Sequence, residues 1–293
     1  MDKIRVLLFG MTGFGNSALK VLVSYPRIEL LGVVAPKKQD TPFPYYKCEK
    51  LQDEVTKIGV TLYEGLKLKE KKTIELIASI CPELIVVSSF NQIIPMAIIS
   101  IPRLGVINIH PSLLPKYRGA TPTVWALLND EKETGVTVHF IEDERIDCGR
   151  IIAQAKLNIE TSDTDGILRL KLAQLSESVL TDALNLIFTK DKKTFPPQNE
   201  SEATYFPKRT LKDAEIDIHR PFKEIANKIR AMSPYPGAYL TYNSKKYIVK
   251  SASLINKKPS KNLCINNNEI LINTLEGVVK FQVAENIRIL DGG

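Results

Sequence analysis

Through the first 110 residues, continuous apolar runs alternate with segments of helical periodicity, and this alternation most narrows the choice of fold. The runs 4-IRVLLFG-10, 29-ELLGVVAP-36, 83-ELIVVSSF-90 and 104-LGVINIH-110 carry few polar residues. A strand wet on one face alternates polar with apolar; a strand covered on both faces does not. Between the runs, 11-MTGFGNSALKVLVSY-25 places Leu19, Val21 and Leu22 at helical spacing. The segments 47-KCEKLQDEVTKIG-59 and 68-LKEKKTIELIASI-80 also read as helices, 94-IPMAIISI-101 as a short one, and 60-VTLY-63 as a short strand. The pattern predicts an α/β fold: a Rossmann-like, doubly wound, mostly parallel sheet with ligands at the carboxyl ends of its strands.

The pattern then changes. The strand-like runs 135-GVTVHFI-141 and 150-RIIAQAKLNI-159 have no helix between them, which predicts an antiparallel edge. A long amphipathic helix follows over 163–188, with Asp163 or Thr164 as N-cap. The polar stretch 189-TKDKKTFPPQNESEATYFPKR-209, with three prolines, reads as a linker. Beyond it, 218–232 reads as a helix, and 246–254, 268–275 and 278–290 as strands. The expected organisation is a catalytic domain over 1–190, a linker over 191–209 and a small β-rich, OB-like domain over 210–293.

With 293 residues, 44% hydrophobic and 25% charged, the chain can bury a substantial core. No apolar run approaches the roughly 18 residues a bilayer span needs. The start, 1-MDKIRVLLFG-10, lacks the features of a secretory signal, so a cytoplasmic protein with no membrane partner is expected. Cys48, Cys81, Cys148 and Cys264 form no CxxC pair, which argues against a zinc site or a disulfide scaffold. The net charge of +7 suits an anionic partner such as a nucleotide or tRNA, although dispersed, solvated lysines account for it equally.

The glycines of 10-GMTGFG-15 miss the GxGxxG spacing, and Ala35, Pro36 and Lys37 stand where a nicotinamide ribose needs an acid. A tight strand-to-helix turn is the expected reading. Asn108 and His110 are the sharper pair. At positions i and i+2 of a strand they share a face, and at its carboxyl end they reach the ligand crevice. An asparagine amide can hold a developing oxyanion, and a histidine can move protons near neutral pH. Asp147, in 142-EDERIDCGR-150, can bring a carboxylate to the same sheet end and orient the histidine. His139 reads as a half-buried structural residue and His219 as a surface or capping one. No HExxH or Cys/His cluster requires a metal, and no GxSxG marks a covalent nucleophile.

The order Asn-x-His-Pro-Ser-Leu-Leu-Pro-x-x-x-Gly in 108–119, then Gly-Val-Thr at 135–137 and Asp-x-Gly at 147–149, resembles the 10-formyltetrahydrofolate-dependent formyltransferases. That group holds methionyl-tRNA formyltransferase, glycinamide ribonucleotide transformylase and the amino-sugar N-formyltransferases. The resemblance spans residues 3–188, and 204-TYFPKR-209, 228-KIRAM-232 and 234-PYPGAY-239 are similar to the small domain of the tRNA and sugar branches. It implies that Asn108 and His110 stabilise the oxyanion as an amine attacks the formyl carbon, and that Asp147 sets the histidine's charge and accepts the amine's proton. It implies a 10-formyltetrahydrofolate donor, no metal, and a pterin pocket lined by Phe90, Asn91, Gln92, Ile141 and Glu144.

The acceptor is read from departures. The stretch 36-PKKQDTPFPYYKCEK-50 is shorter than the loop of the tRNA enzymes and lacks arginine; 119-GATPTVWALLN-129 and His139 are also closer to the sugar branch. A nucleotide-linked amino sugar is therefore the expected acceptor, touched by Ser112, Lys116, Tyr45 or Tyr46. Methionyl-tRNA is the alternative, and hydrolysis of the formyl donor by water a further one. A nucleotide-binding module with a purely structural Asn-His pair is the non-enzymatic reading.

Overall fold

The computed structural model describes residues 3–37, 48–242, 245–255, 263–266, 268–274 and 276–284. The chain divides into two compact units. The first comprises 1–122, 133–158 and 169–206; the second comprises 123–132, 159–168 and 207–293.

The first unit is built on β1 (Ile4–Gly10), α1 (Phe14–Ser24), β2 (Ile28–Ala35), α2 (Leu51–Lys57), β3 (Leu62–Glu64), α3 (Lys71–Ile80), β4 (Leu84–Ser88), α4 (Met96–Ile99) and β5 (Val106–His110). Next come β6 (Arg118–Gly119), α5 (Pro122–Leu128), β7 (Glu133–Ile141), β8 (Ile151–Asn158), α6 (Asp165–Ile187) and β9 (Tyr205–Phe206), of which α5 after Pro122 and the first turn of α6 are assigned to the second unit. The seven-stranded sheet runs β3-β2-β1-β4-β5-β7-β8. Its first five strands are parallel; β7 pairs antiparallel with β5 and β8 with β7, as the missing helix between them predicts. The strand order reverses between β1 and β4, which opens a crevice at their carboxyl ends.

Burial explains the strand patterns. All five residues of β4, a central strand, are buried, whereas the edge strand β8 alternates. Leu7, Phe9, Ile85, Val106 and Ile98 meet in one cluster with no exposed surface. Each such side chain contributes about 1.5–3 kcal/mol, which offsets the cost of burying the polar groups of the site nearby. In the 10–15 turn, a Cβ on Gly10 would approach the Gly15 Cα at 3.3 Å, so these glycines let strand and helix close on each other. Thr164, rather than Asp163, caps α6: its Oγ1 accepts from Ile167 N at 3.3 Å.

Residues 191–206 differ from the linker expectation. Phe195 and Gln198 are buried, and β9 pairs with β6. Two buried side chains inside polar surroundings make this stretch a strap on the first unit, which composition does not reveal.

The second unit holds α7 (Phe222–Ala231), β10 (Ala238–Tyr242), β11 (Lys245–Ile255), β12 (Leu263–Asn266), β13 (Glu269–Thr274) and β14 (Gly277–Val283). The strands form one antiparallel sheet in the order β10-β11-β14-β13-β12. Ile225 and Ile229 are buried on α7, which packs on β11, and Ile270, Val279 and Phe281 are buried on the sheet. No helix among the described residues is long and apolar enough to cross a membrane.

Candidate active site

Two strand neighbours set the geometry at the end of β5. On one side β4 pairs Val87 with Asn108; on the other β7 pairs Asn108 with His139 and His110 with Thr137. Asn108 and His110 share a face, and the register brings His139 against Asn108. Asp147 arrives from the loop after β7. Its φ of 56° is left-handed, a conformation uncommon for residues other than glycine. Two residues on, a Cβ at Gly149 would stand 1.8 Å from the Phe140 carbonyl oxygen, so only glycine lets the loop lie flat on β7.

The four side chains form one hydrogen-bonded group. Asn108 Nδ2 donates to Asp147 Oδ1 at 3.1 Å and contacts His139 Nε2 at 3.2 Å. Asp147 Oδ2 accepts from Gly119 N at 2.9 Å and lies 3.4 Å from His110 Nδ1. His139 Nε2 lies 3.4 Å from Asp147 Oδ1. The tautomers follow from the remaining partners, because a carbonyl only accepts. His110 Nε2 donates to Tyr117 O at 2.8 Å, so in the neutral ring Nδ1 turns its lone pair toward Asp147. His139 Nδ1 donates to Phe140 O at 2.9 Å, so its Nε2 accepts from Asn108. Both Asn108 amide hydrogens are thereby engaged.

Electrostatics separate the roles. Burial pushes the His110 pKa down, against the Asp147 charge and the Tyr117 carbonyl, which raise it. Burial would push the Asp147 carboxyl up, but the neighbouring His110 and His139 and the Gly119 N–H together hold it well below the usual carboxylate range. Burial and the Asp147 charge therefore pull the His110 ring in opposite directions, while Asp147 itself stays a carboxylate. Burial also pushes the Cys148 thiol up, away from the reactive thiolate. No group of His, Cys, Asp and Glu among the described residues is placed to hold a metal.

The other residues expected at the site fall out unevenly. Phe90 is half-buried with its ring 5.4 Å from that of Phe9, and Ile141 packs partly on the core beside it. Gln92 spends its side chain on Leu68 N and Leu66 O, bracing the neighbouring loop; Asn91 is exposed. Glu144 Oε1 accepts from Met96 N at 3.3 Å, which ties the loop before Asp147 to the loop after β4. Ile93, Met96 and Ile146 are exposed apolar side chains on these loops. Ser112 is buried and its hydroxyl donates to Lys116 O, so it is not presented to an acceptor, whereas Lys116 is exposed. Tyr45 and Tyr46 lie outside the described residues.

Three residues gain a place that sequence reasoning missed. His139 is 1% exposed and bonded to Asn108, not half-buried scaffolding. Arg118 and Gln198 lie behind Asp147 and are buried as well. The antiparallel edge was the only signal for His139; nothing local marked the other two. An open cleft of about 390 Å³ beside Asp147 is lined by Arg118, Arg145, Ile146, Cys148, Thr204 and Tyr205, among others.

Comparison with known proteins bears on the family and the fold. Residues 18–184 match the family model described as formyl transferase, and residues 208–288 that of the formyl transferase C-terminal domain. The methionyl-tRNA formyltransferase of Clostridioides difficile is 32% identical over 99% of this chain and 95% of its own. That of Dictyoglomus turgidum is 39% identical over 83% of this chain and 76% of its own. Among solved structures, a sugar 3N-formyl transferase crystallised with dTDP and 5-N-formyl-THF superposes with a TM-score of 0.67 at 23% identity, over 98% of this chain and 100% of that one. The N-formyltransferase of Helicobacter canadensis, in complex with folinic acid and dTDP-3-aminofucose, gives 0.66 at 20% identity, over 96% and 100%. At these identities the structures speak for the fold. With the formyl transferase model covering more than half of the chain and the Clostridioides difficile relative aligned almost end to end, the chain belongs to the formyl transferase family.

Proposed function

We propose that the protein transfers a formyl group from 10-formyltetrahydrofolate to the amino group of methionyl-tRNA. The observation that carries the chemistry is the meeting of Asn108, His110 and Asp147 at the carboxyl end of β5. The donor supplies a carbonyl carbon at the oxidation level of formate. Transfer requires one proton to leave the attacking nitrogen and one to reach the departing nitrogen. Asp147 and the Nδ1 lone pair of His110 are the groups able to carry it, and each stabilises the other once one is protonated. As Asp147 takes up a proton it loosens its hold on Asn108 Nδ2. That frees an N–H to meet the oxygen on which negative charge develops.

For the acceptor, end-to-end likeness to methionyl-tRNA formyltransferases outweighs the short loop that favoured an amino sugar, most of which lies outside the described residues. Charge supports the same acceptor. Residues 207–293 hold 15 Lys and Arg against 8 Asp and Glu, so this stretch alone carries a net charge equal to the whole chain's +7, which suits a phosphate backbone. The nucleotide amino sugar is the second reading, favoured by the fold neighbours solved with dTDP ligands. The test is an acceptor assay with 10-formyltetrahydrofolate, reading product mass with methionyl-tRNA and with a dTDP-linked amino sugar. Formylation of the sugar alone would reverse the acceptor assignment, and formate release without an acceptor would make the protein a hydrolase.

A further inference from the structure

We propose that Gln198, on the strap behind the site, is a positioning residue that fixes the Asp147 carboxylate by clamping the backbone beneath it. The inference rests on the reading of Asp147 as the proton acceptor. Gln198 is 7% exposed, and its Nε2 donates to two carbonyls, Asp147 O and Gly149 O, both at 2.8 Å. Its Oε1 accepts from Arg118 Nε at 3.1 Å and Nη2 at 2.9 Å. The amide orientation is forced, because a guanidinium only donates and a carbonyl only accepts. Arg118 is 5% exposed and is itself held by Glu200, at 2.8 and 2.9 Å.

The arrangement closes on itself. Gly119, next to Arg118 in β6, gives its N–H to Asp147 Oδ2 at 2.9 Å. One dipeptide thus holds Asp147 twice, directly at the carboxylate and through Gln198 at the main chain. β6 is in turn kept in place by the strap: Tyr117 N donates to Thr204 Oγ1 at 2.8 Å and Arg118 N to Thr204 O at 2.9 Å. The clamp also holds Asp147 in a left-handed backbone that is uncommon for residues with a side chain, aspartate and asparagine adopting it more readily than most. Without the two donors of Gln198 the turn can relax and carry the carboxylate away from His110 Nδ1, 3.4 Å distant.

The experiment compares wild type, Gln198→Met and Asp147→Asn by turnover and by ¹⁵N NMR titration of the imidazoles, of which the chain has three. In Gln198→Met, kcat should fall about 10- to 100-fold with both KM values held within about twofold, the scale expected when a reacting group is displaced by an ångström. The His110 midpoint should move down, in the direction that Asp147→Asn moves it, since the carboxylate that raises it is no longer held close. A scaffold role alone would lower Tm and leave that midpoint in place. Should Gln198→Met not fold, Gln198→Glu keeps the volume and the Arg118 pairing, loses both donors, and should show the same loss of kcat. A His110 midpoint and kcat at wild-type values in a folded Gln198 variant would overturn the proposal. Asp147→Asn turning over at the wild-type rate would instead overturn the reading of Asp147, and the NMR arm, which needs no substrate, separates the two failures.

Discussion

Asp147→Asn removes a charge and no volume, so its effect can be worked from the contacts alone. The carboxylate is 9% exposed and accepts from two donors, Asn108 Nδ2 and Gly119 N. An amide has one accepting atom, so whichever way the new side chain turns, its NH₂ faces a donor. One charge-assisted hydrogen bond is lost and a donor–donor contact replaces it, a destabilisation of about 2–4 kcal/mol at neutral pH. The rate falls further, because the substituted amide cannot take a proton. Loss of a general base costs about 100- to 10,000-fold in kcat, roughly 3–5 kcal/mol of barrier. Single-turnover formylation of methionyl-tRNA at saturating donor, read by mass, measures this. The stability difference should vanish on acidification. The folded carboxyl lies below its unfolded value of about 3.9, so its stabilisation is present above that pH and fades as pH falls toward the folded value. A kcat within about threefold of wild type would refute the assignment, and equal stability at pH 7 would refute the contact geometry.

Asn108→Ala should lower kcat about 100- to 1,000-fold, as removal of an oxyanion donor does, and a loss confined to KM would assign Asn108 to binding. Gly149→Ala forces the loop off β7, since the added carbon would stand 1.8 Å from Phe140 O; thermal unfolding should show at least about 1–3 kcal/mol lost, together with activity. Raising KCl from about 50 to about 200 mM should increase KM for methionyl-tRNA by about tenfold or more and leave KM for the donor nearly unchanged. A salt-independent KM would remove the electrostatic argument for a nucleic-acid acceptor.

What the sequence makes legible here is local. The apolar runs of β1, β4 and β5 and the helical spacing of α1 and α3 carry their own signal, and the antiparallel edge follows from two strands lacking a helix between them. Asn108 and His110 are legible because strand geometry alone puts i and i+2 on one face. Arg118 and Gln198 are not, since their pairing joins positions 80 apart through a fold that must exist first. The strap at 191–206 hides for a related reason: two buried side chains in a polar stretch form no period. His139 falls between these cases. Its strand was recognisable, but its place opposite Asn108 depends on a register that the residues of β7 do not state.

That register separates what this site can vary from what it cannot. Asn108 and His139 meet because β5 and β7 are aligned residue for residue. An insertion or deletion of one residue within either strand would turn the downstream groups to the opposite side of the sheet and dismantle the site in a single step. The loop over 142–146, which joins β7 to Asp147, is under no such parity rule. It meets the carboxylate at a turn held independently by Gly119 and Gln198. Loop-length engineering aimed at new donors should therefore begin between Glu142 and Ile146, where a residue added or removed leaves the register of the catalytic strands intact.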